Sequence, residues 1–154
     1  WPADLRDASD AWRERIYESV NNGVYRCGFA RTQAAYDEAV GQLFATLAEL
    51  EAHLATHRYL CGDRLTEADV CLFVTLLRFD PVYVTHFKCN RRRLVDHPNL
   101  LGYTRDIHQL PGVAETCRID HIKEHYYRSH ESLNPCRIVP VGFEVDLDVP
   151  HGRG

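Results

Sequence analysis

At 154 residues and 17.8 kDa the chain has the length of one domain, and 45% hydrophobic with 26% charged residues is the composition of a packed globule. No apolar run approaches the ~18–20 residues of a helical membrane span. A net charge of -4 and a pI near 6.1 leave no basic excess for nucleic acid. The chain opens on Trp1 and contains no Met, so the expectation is a piece of a longer protein.

The pattern is helical almost throughout. From Ser9 to Val20, Trp12, Ile16 and Val20 fall four apart and make one apolar stripe. Asn21-Asn22-Gly23 is expected to break it as a turn. From Thr32 to about His57 a long amphipathic helix places Tyr36, Val40, Leu43, Leu47, Leu50 and Leu54 on one face. Gly62-Asp63 marks a turn, and Thr66 with Asp69 three residues on is a capping box, with Leu65 and Val70 as its hydrophobic staple. The CLFVTLLRF that follows is nearly all apolar, which predicts a helix buried on most sides that ends or kinks at Pro81. Pro98 starts a further helix that Pro111-Gly112 ends, and Asp120 is expected to cap a last one, HIKEHYYRSH. Beyond Glu131 the prolines and glycines predict an irregular tail that wraps or trails; IVPVGFEVDLDV alternates but has no partner strands. The fold class is therefore all-α, a helical domain over residues 1–130 with an irregular tail over 131–154.

Six cysteines, at 27, 61, 71, 89, 117 and 136, show no two-residue spacing and read as reduced thiols. His121-Ile-Lys-Glu124-His125 fits the H-x-x-E-H pattern of a zinc peptidase. The pattern is short, no helix is expected downstream to bring a third ligand, and two histidines on a polar helix is the other reading. Lys88, Arg91, Arg92 and Arg93 form a basic run, either solvated or a site for an anion or partner. Asp80–Phe87 is more apolar than a surface loop, so it is core or a contact surface. Tyr25 sits between glycines in GVYRCG, and Tyr126-Tyr127 follow His125. Such phenols either pack a helix junction or point into a cleft, where a phenol can donate to a substrate oxygen.

At these segments the chain resembles a known family. Thr66-Glu-Ala-Asp69 after Tyr59-Leu-Cys-Gly62 looks like the capping box of cytosolic glutathione transferases. NNGVYRCGFA (Asn21–Ala30), RFDPVYVTHFKCN (Arg78–Asn90), LPGVAETC (Leu110–Cys117) and DHIKEHYYRSHESLNP (Asp120–Pro135) are similar to the xi class, the glutathionyl-hydroquinone reductases. The resemblance runs from about Trp12 to the end. It implies the C-terminal helical domain of a two-domain enzyme. The catalytic cysteine, in a C-P-W/F-A type motif, and most of the glutathione site would belong to a thioredoxin-like N-terminal domain that this chain does not match. No cysteine here inherits that role, Cys27 included.

What the resemblance implies for function is substrate-side work in cleaving a glutathionyl-hydroquinone to hydroquinone and oxidised glutathione. Tyr25 and Tyr126 would transfer protons and bind substrate oxygens, with His125 and Tyr127 as neighbours; no metal is implied. The fragment alone is expected to be inactive, and the full protein a cytoplasmic homodimer with Asp80–Phe87 as a candidate interface. A non-catalytic, transferase-like binding or assembly module is the alternative. Independently of function, replacing Thr66 or Asp69 by Ala should cost about 1 kcal/mol or more in urea denaturation, since lost caps cost ~0.5–2 kcal/mol.

Overall fold

The computed structural model describes residues 2–154. Among the described residues there is no strand, and seven α-helices follow one another: α1 Arg6–Ile16, α2 Gly23–Gly28, α3 Gln33–Leu54, α4 Glu67–Leu77, α5 Val84–His86, α6 Pro98–His108 and α7 Ile119–Ser129.

The long helix α3 forms where its stripe predicted. Thr32 caps it by accepting from Ala35 N–H, and Val40, Leu43, Leu47, Leu50 and Leu54 are all buried. Ile16 and Val20 are buried as well, but the helix that carries them changes pitch. α1 ends at Ile16, and Tyr17–Asn21 form a π turn running into α2 at Gly23. The turn expected at Asn21-Asn22-Gly23 is therefore replaced by continuous helix. The reason is tertiary: Asn21 Nδ2 donates to Cys71 O at 2.7 Å and to Thr75 Oγ1 at 2.8 Å, so its amide serves α4 rather than its own backbone.

α4 is the central helix, and Asp69 holds its start. The carboxylate is fully buried and takes four hydrogen bonds. Oδ2 accepts from Thr66 N–H (2.8 Å) and Oγ1–H (2.9 Å); Oδ1 accepts from Leu60 N–H (2.9 Å) and the Tyr103 hydroxyl (2.9 Å). One side chain thus joins the α4 cap, the turn at Tyr59–Gly62 and α6. One expectation for this helix fails, its hydrophobic staple, while its end before Pro81 is as expected. Val70 is 48% exposed, so Leu65 and Val70 bury no staple, and with Val74 it leaves one face of α4 open. At the other end Pro81 falls in a second π turn, Phe79–Tyr83, in which Val82 N–H and Tyr83 N–H both donate to Arg78 O.

In the second half the structure decides between open alternatives and corrects two expectations, the Asp80–Phe87 interface and the Asp120 cap. Asp80, Pro81, Val82, Tyr83, Val84, His86 and Phe87 are all buried, so the stretch is core and offers no interface. α7 begins at Ile119 with Arg118 as its cap residue, and Asp120 lies inside the first turn, bonded to the Arg118 guanidinium. The tail wraps rather than trails. Lys123 donates to Val141 O, Arg105 to Asp146 O, and Gln109 to Leu147 O and Val149 O. Arg153 Nη2 then reaches Leu54, His57 and Arg58 carbonyls at 3.0, 2.6 and 3.0 Å, capping the C-terminus of α3 from the far end of the chain. Gly102 permits this approach, because a Cβ there would lie 3.0 Å from His151 O.

Asp69→Ala removes four bonds from a fully buried site, so its expected cost in urea denaturation is about 3 kcal/mol or more. Thr66→Ala should stay near ~1 kcal/mol. Equal costs for the two variants would mean that the Leu60 and Tyr103 bonds add nothing.

Candidate functional site

Three segments meet at one cluster of rings. α2 supplies Tyr25, which is therefore on a helix and not in the expected glycine-flanked loop. α7 is amphipathic and turns Tyr126 and Tyr127 inward while His121, Glu124 and His125 stay exposed. The π turn Phe79–Tyr83 supplies Tyr83, a residue not singled out from the sequence. Two contacts set that turn. Buried Asp80 accepts from Leu94 N–H at 2.5 Å, and the Tyr127 hydroxyl donates to Pro81 O and Val82 O at 3.3 and 3.4 Å. Tyr127 is thus not brought to the other hydroxyls; it clamps the turn that holds Tyr83.

The hydroxyls of Tyr25 and Tyr126 are 2.6 Å apart, and those of Tyr83 and Tyr126 are 2.9 Å apart. Each phenol has one proton to donate. Tyr83 is buried and its close hydroxyl contact is Tyr126, so the arrangement that satisfies it has Tyr83 donating to Tyr126 and Tyr126 to Tyr25. The one donor left over then emerges on Tyr25, the half-buried end of the chain. Burial, and next the bond to Tyr126, push the Tyr25 hydroxyl up to about 12, and the same two causes raise Tyr83. At neutral pH both are therefore protonated donors. The Arg78 charge at the end of α4 pulls modestly the other way on both.

Phe87 is the floor of the cluster and is fully buried. Its ring centroid lies 5.0 Å from Tyr25, 5.3 Å from Tyr83 in a stacked pair, 5.9 Å from Tyr126 and 5.8 Å from His130. Only a glycine at position 28 admits that ring, since a Cβ there would sit 2.2 Å from Phe87 Cδ1. The rim is Phe29, exposed at 42%, with His130 and His125. His125 packs its ring edge on Tyr126 at 5.4 Å, so it belongs to the rim but not to the hydroxyl chain. Sequence reasoning missed Tyr83, Phe87, Gly28 and His130. Tyr83 and Phe87 stand four apart in the Asp80–Phe87 stretch, the one signal that could have marked them.

The other sequence candidates do different things. His121 is exposed and lies against Asp120, while Glu124 pairs with Arg128. Among the described residues no group of three or more His, Cys, Asp or Glu is placed to hold a metal ion. Arg91 lies over Phe44, Arg93 over Phe143, and Arg92 donates to Asp96 O, so the basic run is tied down residue by residue. All six cysteines are free thiols, with Cys27 and Cys89 fully buried. No helix among the described residues is long and apolar enough to cross a membrane.

The fold is that of a glutathione-transferase C-terminal helical domain. The glutathione S-transferase C-terminal domain family matches residues 33–106, and the chain belongs to that family. It is similar to glutathionyl-hydroquinone reductase YqjG of Escherichia coli, 56% identical over 153 residues, covering 99% of this chain and 47% of that protein. It is also similar to glutathionyl-hydroquinone reductase PcpF of Sphingobium chlorophenolicum, 54% identical over 142 residues, 92% of this chain and 45% of the relative. Among solved structures it superposes on glutathione-bound YqjG with a TM-score of 0.96, over 99% of this chain and 49% of that one. A xi-class transferase from Natrialba magadii, 51% identical, gives the same score over 99% and 46%. The chain spans about half the length of these relatives.

His86 gives the cluster a pH dependence. It is 7% exposed, and burial, then the neighbouring His130, push its pKa down from 6.5 to about 4. An unfolded imidazole takes up a proton near pH 6.5 and the folded one resists until about 4. Its contribution is therefore whole above pH 6.5 and is lost as the pH falls through 4. That loss should reach about 3 kcal/mol by pH 4; His53, His97 and His130 are lowered by burial as well and act in the same sense. Urea denaturation between pH 7 and 4 should show a shallower slope in His86→Asn than in the wild type; parallel slopes would clear His86 of the effect.

Proposed function

We propose that this chain is the substrate-side half of a glutathione-dependent reductase that cleaves glutathionyl-hydroquinones to hydroquinone and oxidised glutathione. The observation that carries the reading is the hydroxyl chain Tyr83–Tyr126–Tyr25, which ends in one free donor at an aromatic wall. The names of the two reductases, each more than half identical over nearly the whole chain, supply the reaction. A non-catalytic module has no use for a buried chain of phenols opening at its surface.

The chemistry explains why such donors are needed. A thiolate can attack the glutathione sulfur only if the ring leaves with its electron pair, and an aryl carbanion is too basic to leave. The ring must first gain a proton at the carbon that bears sulfur, becoming a ketone tautomer. Tyr25 holds a ring oxygen or delivers that proton, and Tyr126 and Tyr83 behind it share the charge that develops. His125 edges the same wall. Tyr127 acts only through the turn it clamps.

The nucleophilic cysteine and most of the glutathione site fall, in this reading, to a thioredoxin-like domain in the rest of the protein. The fragment alone is then inactive. The same reading carries a homodimer and a cytoplasmic setting, supported by the resemblance and by six unpaired thiols. With Asp80–Phe87 buried, a dimer would have to form elsewhere.

The test is made in the two-domain protein. Tyr25→Phe with Tyr126→Phe should lower kcat for glutathionyl-hydroquinone cleavage by about 10²–10⁴, the range of general acid–base contributions. Reduction of a simple glutathione mixed disulfide, which needs no ring proton, should continue at the wild-type rate. Undiminished hydroquinone release from the double variant would take these phenols out of the mechanism.

A further inference from the structure

His130 lies one residue past α7 with its imidazole against the same floor as the tyrosines. Its ring centroid is 5.8 Å from Phe87, 5.5 Å from Tyr126 and 5.3 Å from the exposed Phe29. His130 Nδ1 is 3.1 Å from Nε2 of buried His86, which fixes the ring. Its other nitrogen, Nε2, has no hydrogen-bond partner among the described residues. A ring held at one nitrogen and open at the other is the arrangement of a histidine oriented for proton transfer.

The groups facing it are few. His86 approaches from α5, with the Lys88 charge acting on His86 from beyond. His125 and Tyr126 come from α7, and from the end of α2 only the uncharged Phe29. Burial first, and the His125 charge second, hold the His130 pKa below its usual 6.5. At pH 7 the imidazole is neutral and can accept a proton.

We propose that His130 is a further catalytic residue, the base that takes the proton of a ring hydroxyl as the hydroquinone becomes its ketone and returns it as the thioether breaks. This rests on the activity proposed above. In the first step the O–H bond breaks toward His130, its electron pair forms the C=O π bond, and the carbon bearing sulfur takes a proton from Tyr25. In the second the thiolate forms a bond to the glutathione sulfur, the C–S pair restores the aromatic ring, and the π pair returns to oxygen, which recovers its proton from His130. Tyr25 is reprotonated from solvent, so one thiolate and one proton are consumed for each mixed disulfide and hydroquinone formed.

Glutathionyl-1,4-hydroquinone is the probe, with the two-domain protein as enzyme. His130→Asn is expected to lower kcat by about 10²-fold with KM little changed, to abolish the acid limb of the pH profile of kcat/KM, and to recover rate when free imidazole is added. Mixed-disulfide reduction reports folding, and His130→Gln replaces His130→Asn if that rate falls. An active wild type whose His130 variants keep its rate and pH profile overturns the base while leaving the hydroquinone activity standing. So does a slowed variant with an unchanged profile and no response to imidazole. A well-folded wild type that never cleaves the probe removes the activity and the base together.

Discussion

The buried carboxylate of Asp69 is the constraint on which the rest of the architecture depends. Three segments far apart in the chain present donors that would otherwise be stranded without water: the cap of α4, the backbone of Leu60 and the hydroxyl of Tyr103. A buried charge survives only where such bonds surround it. Satisfying Asp69 therefore fixes where α4 begins and how α6 crosses it, and α4 in turn carries Arg78 and the π turn with Tyr83 to the site. The Arg153 cap on α3 repeats the logic at the other end, closing open carbonyls with a side chain from the tail.

Two of the backbone paths into the aromatic cluster pass through π turns, Tyr17–Asn21 before α2 and Phe79–Tyr83 after α4. Each adds a residue to the helical turn and so re-aims the side chains beyond it. The first carries the chain into the short helix of Tyr25, and the second carries Tyr83 beneath Tyr126. Phe87 can fill the space between them only because Gly28 has no side chain. The hydroxyl chain is thus a product of backbone irregularity held in place by packing, which is why both irregular turns are bonded to their surroundings by Asn21, Asp80 and Tyr127.

The tyrosines of the wall are suited to donating protons and its histidines to accepting them. Burial and mutual hydrogen bonding keep Tyr25 and Tyr83 protonated, and the histidines beside them are held neutral by the same burial. Acids and bases are kept within one aromatic patch without ion pairing between them. Thiolate chemistry needs a stabilised anion, and the fully buried thiols of Cys27 and Cys89 offer no access to a substrate.

Much of this was legible in the residues themselves. The stripe of α3, the capping pair Thr66 and Asp69, the helix start at Pro98 and the stop by Gly112 are local signals, because helix periodicity and cap chemistry act over a few residues. The pairing of Tyr25 with Tyr126 was legible only through family resemblance, since the two lie 101 positions apart. Tyr83, Phe87 and His130 were not legible, nor was the inward, clamping orientation of Tyr127. Sequence alone determined an all-α chain, its principal helices and the phenols worth watching. Tertiary structure decided which phenols touch, where helices widen into π turns, and that Asp80–Phe87 is core, because those outcomes depend on which distant donors and rings compete for one buried space.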